Sequence, residues 1–313
     1  MMWGEIKVCL NQGPSGGRSS IGRAPGCGPG GLWVRVPSTT PIEQSIVPYS
    51  ICLCHMRVDF FEEYPSAENM VRARDISWAS TIYLAAPSLE KYVDASTTLA
   101  SINPLLESAY WPTLKHSYWI SPFADTEDLF QLRRELRSYN GPRLKVLLDL
   151  ELPLLKKILF IKNAPYFFGN KRILASILAM HDSFDFATAE YPLLSQFSEK
   201  AKRWLGVAFD EHKHMRIPMC YSSMIRQYDK YIPGDALSLI KKKLQQLLAD
   251  ERSRMMVGIG ALATGALENE AVITPEHLRE DLTFVREGGF PGCVIFRLGG
   301  LQDAYLRVIK EFV

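Results

Sequence analysis

From Met56 onward, short β-rich apolar runs alternate with longer stretches of helical period. Val58–Glu63, Thr81–Ala86, Ser108–Trp111 and Lys145–Leu150 read as the first four strands. Phe184–Glu190, Arg216–Tyr221, Met256–Ala263 and Cys293–Leu298 read as the next four. Between them lie helical stretches at Ser66–Asp75, Ser88–Ser101, Thr126–Tyr139, Leu237–Asp250, Pro275–Glu287 and Gln302–Phe312. Ser88 and Asp125 stand where N-caps are needed, because a short polar side chain there accepts from the open N–H groups of the first turn. Asn140-Gly141-Pro142 ends the third of these helices.

Most of these strands are apolar on both faces, as strands between a filled interior and a layer of helices must be. Eight such units in the 313 − 55 = 258 residues after position 55 match a (β/α)8 barrel (TIM barrel). A doubly wound open sheet fits less well. Glu62-Glu63-Tyr64-Pro65 follows the first strand where that fold needs a glycine-rich phosphate turn.

Composition divides the chain in two. Residues 1–55 hold 9 of the 21 glycines, 6 of the 19 prolines and four of the six cysteines. They carry the whole excess charge: four basic residues against Glu5 and Glu43 give +2, and the other 258 residues balance 32 against 32. No hydrophobic period survives Gly13–Gly31, so this segment is expected to be a disordered extension before a barrel domain spanning 56–313. Arg18-Ser-Ser-Ile-Gly-Arg-Ala24 followed by Val34-Arg-Val-Pro-Ser38 resembles the D-arm and T-loop of a transfer-RNA gene read in a protein frame. That resemblance implies a start at Met56 and a non-native extension. Cys52 and Cys54 lack the second pair that a zinc site needs. Cys220 and Cys293 lie in apolar strands and are expected to be buried thiols of a cytoplasmic protein. The near-neutral charge argues against a nucleic-acid or anionic-membrane partner, and no apolar run is long enough to span a bilayer.

Candidate chemistry sits where strands stop. Glu63-Tyr64-Pro65, Glu151-Leu152-Pro153 and Glu190-Tyr191-Pro192 repeat one pattern after the first, fourth and fifth strands. Proline ends a strand because it has no N–H for the ladder. The three glutamates are therefore expected at the C-terminal rim, where barrel enzymes build their sites. Alternation puts Leu147, Asp149 and Glu151 on one face of the fourth strand, expected inward, and Val146, Leu148 and Leu150 on the other. In the fifth strand the same reasoning expects Phe186, Thr188 and Glu190 inward, with Ala187 and Ala189 under a helix. Clustered carboxylates raise the proton affinity of at least one member, which suits a general acid. The same carboxylates could instead cap helices or pair with Arg297. Trp111 and Trp119 in the aromatic third βα region offer flat faces for a sugar ring, or simply pack on one another. Tyr221 adds a hydroxyl to the rim.

Asp149-Leu150-Glu151 at the fourth strand end, with Tyr221 in Met219-Cys220-Tyr221 at the sixth, resembles the chitinase-like glycoside hydrolases. The resemblance implies that Glu151 is the acid, that Asp149 orients an acetamido group of the substrate, and that Tyr221 assists. Leu144 and Leu147 stand where that family's acidic repeat has aspartates, and Phe296-Arg297 where it has a tryptophan.

The expectation is a hydrolase of glycosidase type acting on a small sugar-derived or oligosaccharide substrate without a cofactor. Glu151, Asp149, Glu190 and Tyr221 are its catalytic set, and Glu63, Trp111, Trp119 and Arg297 its substrate-binding set. Two alternatives stand beside it. One is a lyase or isomerase holding a divalent cation such as Mg²⁺ with Glu63, Glu151 and Glu190. The other is a catalytically silent carbohydrate-binding barrel.

Overall fold

The computed structural model describes residues 55–117, 120–151, 161–190, 199–209, 214–228, 235–247, 249–264 and 271–313. The chain divides into Met1–Cys54 and His55–Val313. All described elements lie in the second unit.

Eight parallel strands form one sheet in the order β6-β5-β4-β3-β2-β1-β8-β7. They are β1 Arg57–Glu62, β2 Ser80–Ala86, β3 Leu106–Pro112, β4 Leu144–Leu150, β5 Phe184–Glu190, β6 Met215–Pro218, β7 Met256–Ile259 and β8 Gly292–Phe296. Parallel bridges Arg216↔Met255 and Met219↔Gly258 join β6 to β7, so the sheet closes on itself as a (β/α)8 barrel.

The helices are α1 Ala67–Met70, α2 Leu89–Ile102, α3 Thr126–Ser138, α4 Phe167–Leu178, α5 Glu199–Leu205, α6 Ser222–Tyr228, α7 Ala236–Gln245, α8 Ala249–Arg252, α9 Pro275–Glu287 and α10 Asp303–Ile309. Ser88 caps α2 by accepting from Lys91 N–H, and Asp125 caps α3 by accepting from Glu127 N–H, as the sequence suggested. The late helix read as Leu237–Asp250 is instead two pieces, α7 and α8. Helices α4, α5 and α6 were not anticipated from the sequence. Phe167–Leu178 is apolar nearly throughout its buried face and offers no charged stripe to reveal a helical period.

Two buried layers follow from strand alternation. Phe61, Tyr83, Ala109, Leu147, Ile217 and Val294 belong to the cluster that fills the barrel. Phe60, Leu84, Tyr110, Leu148, Phe186 and Ile295 belong to the cluster between strands and helices. Small side chains such as Ala85, Ala187 and Ala189 line the interior beside large ones such as Phe61 and Trp111. This alternation of sizes fills the interior. Cys220 and Cys293 are free and buried, as expected. Burial pushes the Cys220 thiol up to about 12.

Candidate active site

The mouth of the barrel is built from the ends of β1, β3, β4 and β8. Along β1, Phe60 belongs to the outer layer and Phe61 to the interior. The two glutamates that follow therefore part company. Glu62, fully buried, is held on the outer side by four donors: Gly299 N–H at 2.6 Å, Tyr64 N–H at 2.8 Å, Asn69 Nδ2 at 3.2 Å and Arg297 Nη1 at 3.4 Å. Glu63, also buried, lies close enough to Asp149 for its charge to act on that carboxyl.

Asp149 is where several effects converge. Its partner in the β4–β5 register is Ala189, and it lies on the same face of β4 as interior Leu147. Burial and the neighbouring Glu63 push its carboxyl up to about 7, opposed by a hydrogen bond from the Trp111 side chain. Its Oδ1 is buried with no hydrogen-bond partner among the described residues. Two residues on, Glu151 is half-buried. Its N–H donates to the carbonyls of Ile120 at 3.2 Å and Asp149 at 3.1 Å, which fixes the backbone at the strand exit.

Aromatic rings surround this group. Trp111 packs at 5.6 Å from Phe61, and Tyr221 at 5.6 Å from Phe296. Trp111 is only 6% exposed. Rather than offering its face as an open platform, it lies in the interior beside Asp149 and favours that carboxyl's ionised form. A groove of about 600 Å³ opens beside Glu63, edged by Tyr64, Ala86, Pro87, Asp94 and Thr113. Trp119, Pro153, Tyr191 and Pro192 lie outside the described residues.

Glu190 is not in this constellation. The register pairs Glu190 with Leu150 and Ala189 with Asp149, so Glu190 shares the outer face. There Arg216 grips it through Nε at 2.5 Å and Nη2 at 2.7 Å. The expectation that Phe186, Thr188 and Glu190 face inward is therefore corrected. Phe186 packs 5.7 Å from Phe184 in the helix layer, while the alanines face the axis. Small residues fit under a helix and inside a crowded barrel equally well, so size alone could not settle the side. Arg297, expected on the substrate, is engaged by Glu62 and lies 4.8 Å over the Tyr64 ring.

The ligand set Glu63, Glu151 and Glu190 is likewise not brought together, since Glu190 is on the other face of the sheet. Among the described residues one group has metal-ligand spacing: His116, Asp125 and Asp128, between β3 and α3. Its contacts have structural work. Asp128 accepts from His116 N–H and faces its Nδ1, both at 2.9 Å, and Asp125 caps α3.

The sequence reading missed Glu62, and it missed Arg216 as the partner of Glu190. The contrast of Phe60 with Phe61 could not reveal the first, because both residues are aromatic and buried. The second needed the register of β5 against β6, which sets Glu190 beside Pro218 with Arg216 two residues below it on the same face.

No family model matches the chain, and no curated protein does. Solved structures with a similar fold include a GH18 chitinase from Pseudoalteromonas aurantia. That pair has 10% identity and a TM-score of 0.48, covering 82% of this chain and 100% of the other. The spore cortex-lytic enzyme SleL of Bacillus megaterium aligns at 12% identity and a TM-score of 0.45, over 91% of this chain and 78% of that one. A hyperthermostable endocellulase aligns at 11% identity and a TM-score of 0.49, over 82% and 92%. None of these likenesses assigns an activity to this chain. What fold and site define is a (β/α)8 barrel with a buried aspartate, adjoining glutamates and an aromatic lining at its mouth.

Proposed function

We propose that the protein is a glycoside-hydrolase-like enzyme that cleaves an N-acetylated oligosaccharide, with Glu151 as general acid/base. The observation that carries this reading is Asp149: an interior carboxyl two residues before Glu151, with burial and Glu63 raising its proton affinity into the neutral range. A carboxyl titrating near 7 can hold a proton at one stage of a reaction and release it at the next. Its buried oxygen without a partner is the kind of acceptor that a substrate acetamido N–H satisfies.

In this scheme Glu151 donates its proton to the leaving glycosidic oxygen. The acetamido carbonyl oxygen of the substrate, oriented by Asp149, attacks the anomeric carbon in place of a protein nucleophile. Tyr221, held against Phe296 at the mouth, supports the acetamido group. Water then opens the resulting ring with Glu151 acting as base. Glu190 has no part, because Arg216 holds both of its oxygens on the far side of the sheet. The groove beside Glu63 gives a longer sugar chain a path away from the mouth.

The test is turnover by the full chain of N-acetylglucosamine oligomers compared with glucose oligomers of equal length. Cleavage confined to the acetylated series, and lost in Glu151→Gln, is the expected result. Equal cleavage of both series would remove the acetamido mechanism. No cleavage of either would remove the glycosidase reading.

A further inference from the structure

One face of the helix layer departs from the charge balance of the rest. Residues 161–181 contain no Asp or Glu, while Lys162, Lys171 and Arg172 fall among apolar residues. On the folded surface, Ile161 is 76% exposed, Tyr166 56%, Phe168 67% and, from α5, Trp204 61%. The buried ring of Phe167 ties Phe168 to Trp204. It lies 5.2 Å from Phe168 and 5.7 Å from Trp204. Lys171 Nζ donates to the carbonyls of Arg203 at 2.6 Å and Trp204 at 3.1 Å, joining α4 to α5. Scattered exposed apolar residues need no explanation, but large exposed rings joined through Phe167, with further exposed apolar side chains on the same stretch and a basic fringe, do.

We propose that this face docks on an anionic lipid surface. Aromatic side chains with one polar edge, such as Trp204 and Tyr166, suit the level of lipid headgroups, and Ile161 and Phe168 suit the acyl boundary beneath. Exposed Arg172, Lys200 and Arg203 supply the complementary charge, while Lys162 lies 3.8 Å from the Asp125 carboxylate. A groove of about 340 Å³ between α3 and α4, edged by Phe130, Arg133, Tyr166 and Arg172, has room for an anionic headgroup. A neutral polysaccharide fits less well. The Phe167 and Phe168 rings stand at 84° and the Phe167 and Trp204 rings at 38°, so they make no flat platform. Ile161 and Phe168 also have no side-chain hydrogen-bonding group for sugar hydroxyls. The near-zero charge of residues 56–313 hides this local imbalance. The proposal is independent of the reaction at the barrel mouth.

The experiment is co-sedimentation of the full chain with vesicles of phosphatidylcholine alone and with about one-third phosphatidylglycerol. Partition to the anionic vesicles is expected to exceed that to neutral ones by about ten-fold or more, and to weaken as salt is added. The double variant Phe168→Ser/Trp204→Ser is expected to lose binding, and Arg172→Glu to weaken it by about five-fold or more. Circular dichroism checks that each variant is folded; Arg172→Glu alters one exposed charge and tests the idea even if the double variant does not fold. Equal partition to both vesicle types would overturn the proposal. So would Arg172→Glu binding like the unaltered chain, which would move the binding elsewhere. Retention on insoluble polysaccharide without vesicle binding would overturn it in favour of a sugar surface.

Discussion

Trp111 and Asp149 meet at the barrel mouth, the β3 indole favouring the ionised β4 carboxylate while Glu63 opposes its charge. The tryptophan is thus a holder of the ionised aspartate. Trp111→Phe keeps most of the packing against Phe61 and removes the donor. The Asp149 carboxyl is then expected to titrate higher still, and stability at pH 8 to fall by about 1–3 kcal/mol as the buried acceptor loses its partner. Denaturation at pH 5 and pH 8 checks this. An equal loss at both would mean that lost packing, not the hydrogen bond, is the cause.

Asp149 also imposes a pH dependence whose sign follows from its raised pKa. The carboxyl titrates near 3.8 when the chain is unfolded and near 7 in the fold. Between those values the native state holds the proton and the unfolded state does not, so stability falls as pH rises through this window. Asp149→Asn removes the titration. The variant is expected to be the more stable form at pH 8, by an amount on the order of a few kcal/mol, with a flatter profile from pH 4 to pH 7. Parallel melting curves for the two proteins across that range would contradict the assignment.

Glu190 and Arg216 make a contrasting case. Both are largely buried, at 6% and 17% side-chain exposure, and the contact is bidentate. Arg216→Met leaves a buried carboxylate without its counter-charge and is expected to cost about 3–5 kcal/mol. Adding Glu190→Leu to that variant should restore much of the loss, because an apolar pair of similar volume has no desolvation penalty. Urea unfolding of the single and double variants measures both steps. Additive losses in the double variant would show that the ion pair is not what couples the two positions.

The barrel was legible because its strands announce themselves twice, by apolar runs and by the residues that end them. The inward turn of Asp149 was legible for a related reason: Val146, Leu148 and Leu150 make one face of β4 wholly aliphatic, which leaves the aspartate the other face. The fifth strand offered no such asymmetry. Phe186 and Thr188 against Ala187 and Ala189 fit either orientation, and only the pairing of Leu150 with Glu190 decides it. Partners distant in sequence were out of reach for the same reason. Glu62 meets Arg297 across 235 positions, and nothing local to either residue points to the other.

The extension reading gives a fourth expectation. Met56 N–H donates to the Phe312 carbonyl at 3.0 Å, so the start of β1 is tied to the end of the chain. In a protein beginning at Met56 that nitrogen becomes an ammonium, which can still donate. Its melting temperature is expected to match that of the full chain, since the second unit holds all eight strands. A drop of several degrees would show that residues 1–55 support the barrel.

The last expectation separates a rim glutamate, Glu151, from a scaffold glutamate, Glu62. Glu151 follows β4 with its backbone anchored to Ile120 and Asp149, so replacing its side chain leaves that anchoring in place. Glu62 is the reverse: fully buried, with four donors converging on its carboxylate from Tyr64, Asn69, Arg297 and Gly299. Glu151→Gln is therefore expected to lower turnover by about 10²–10⁴-fold while its melting temperature holds. Glu62→Gln is expected to lower stability by about 3–5 kcal/mol, because it leaves the partly buried Arg297 without its carboxylate and sets an amide group against donors. Thermal melts of the two variants side by side decide the matter before any substrate is identified. A clearly lowered midpoint for Glu151→Gln, comparable to that of Glu62→Gln, would place Glu151 in the scaffold and remove it from the chemistry.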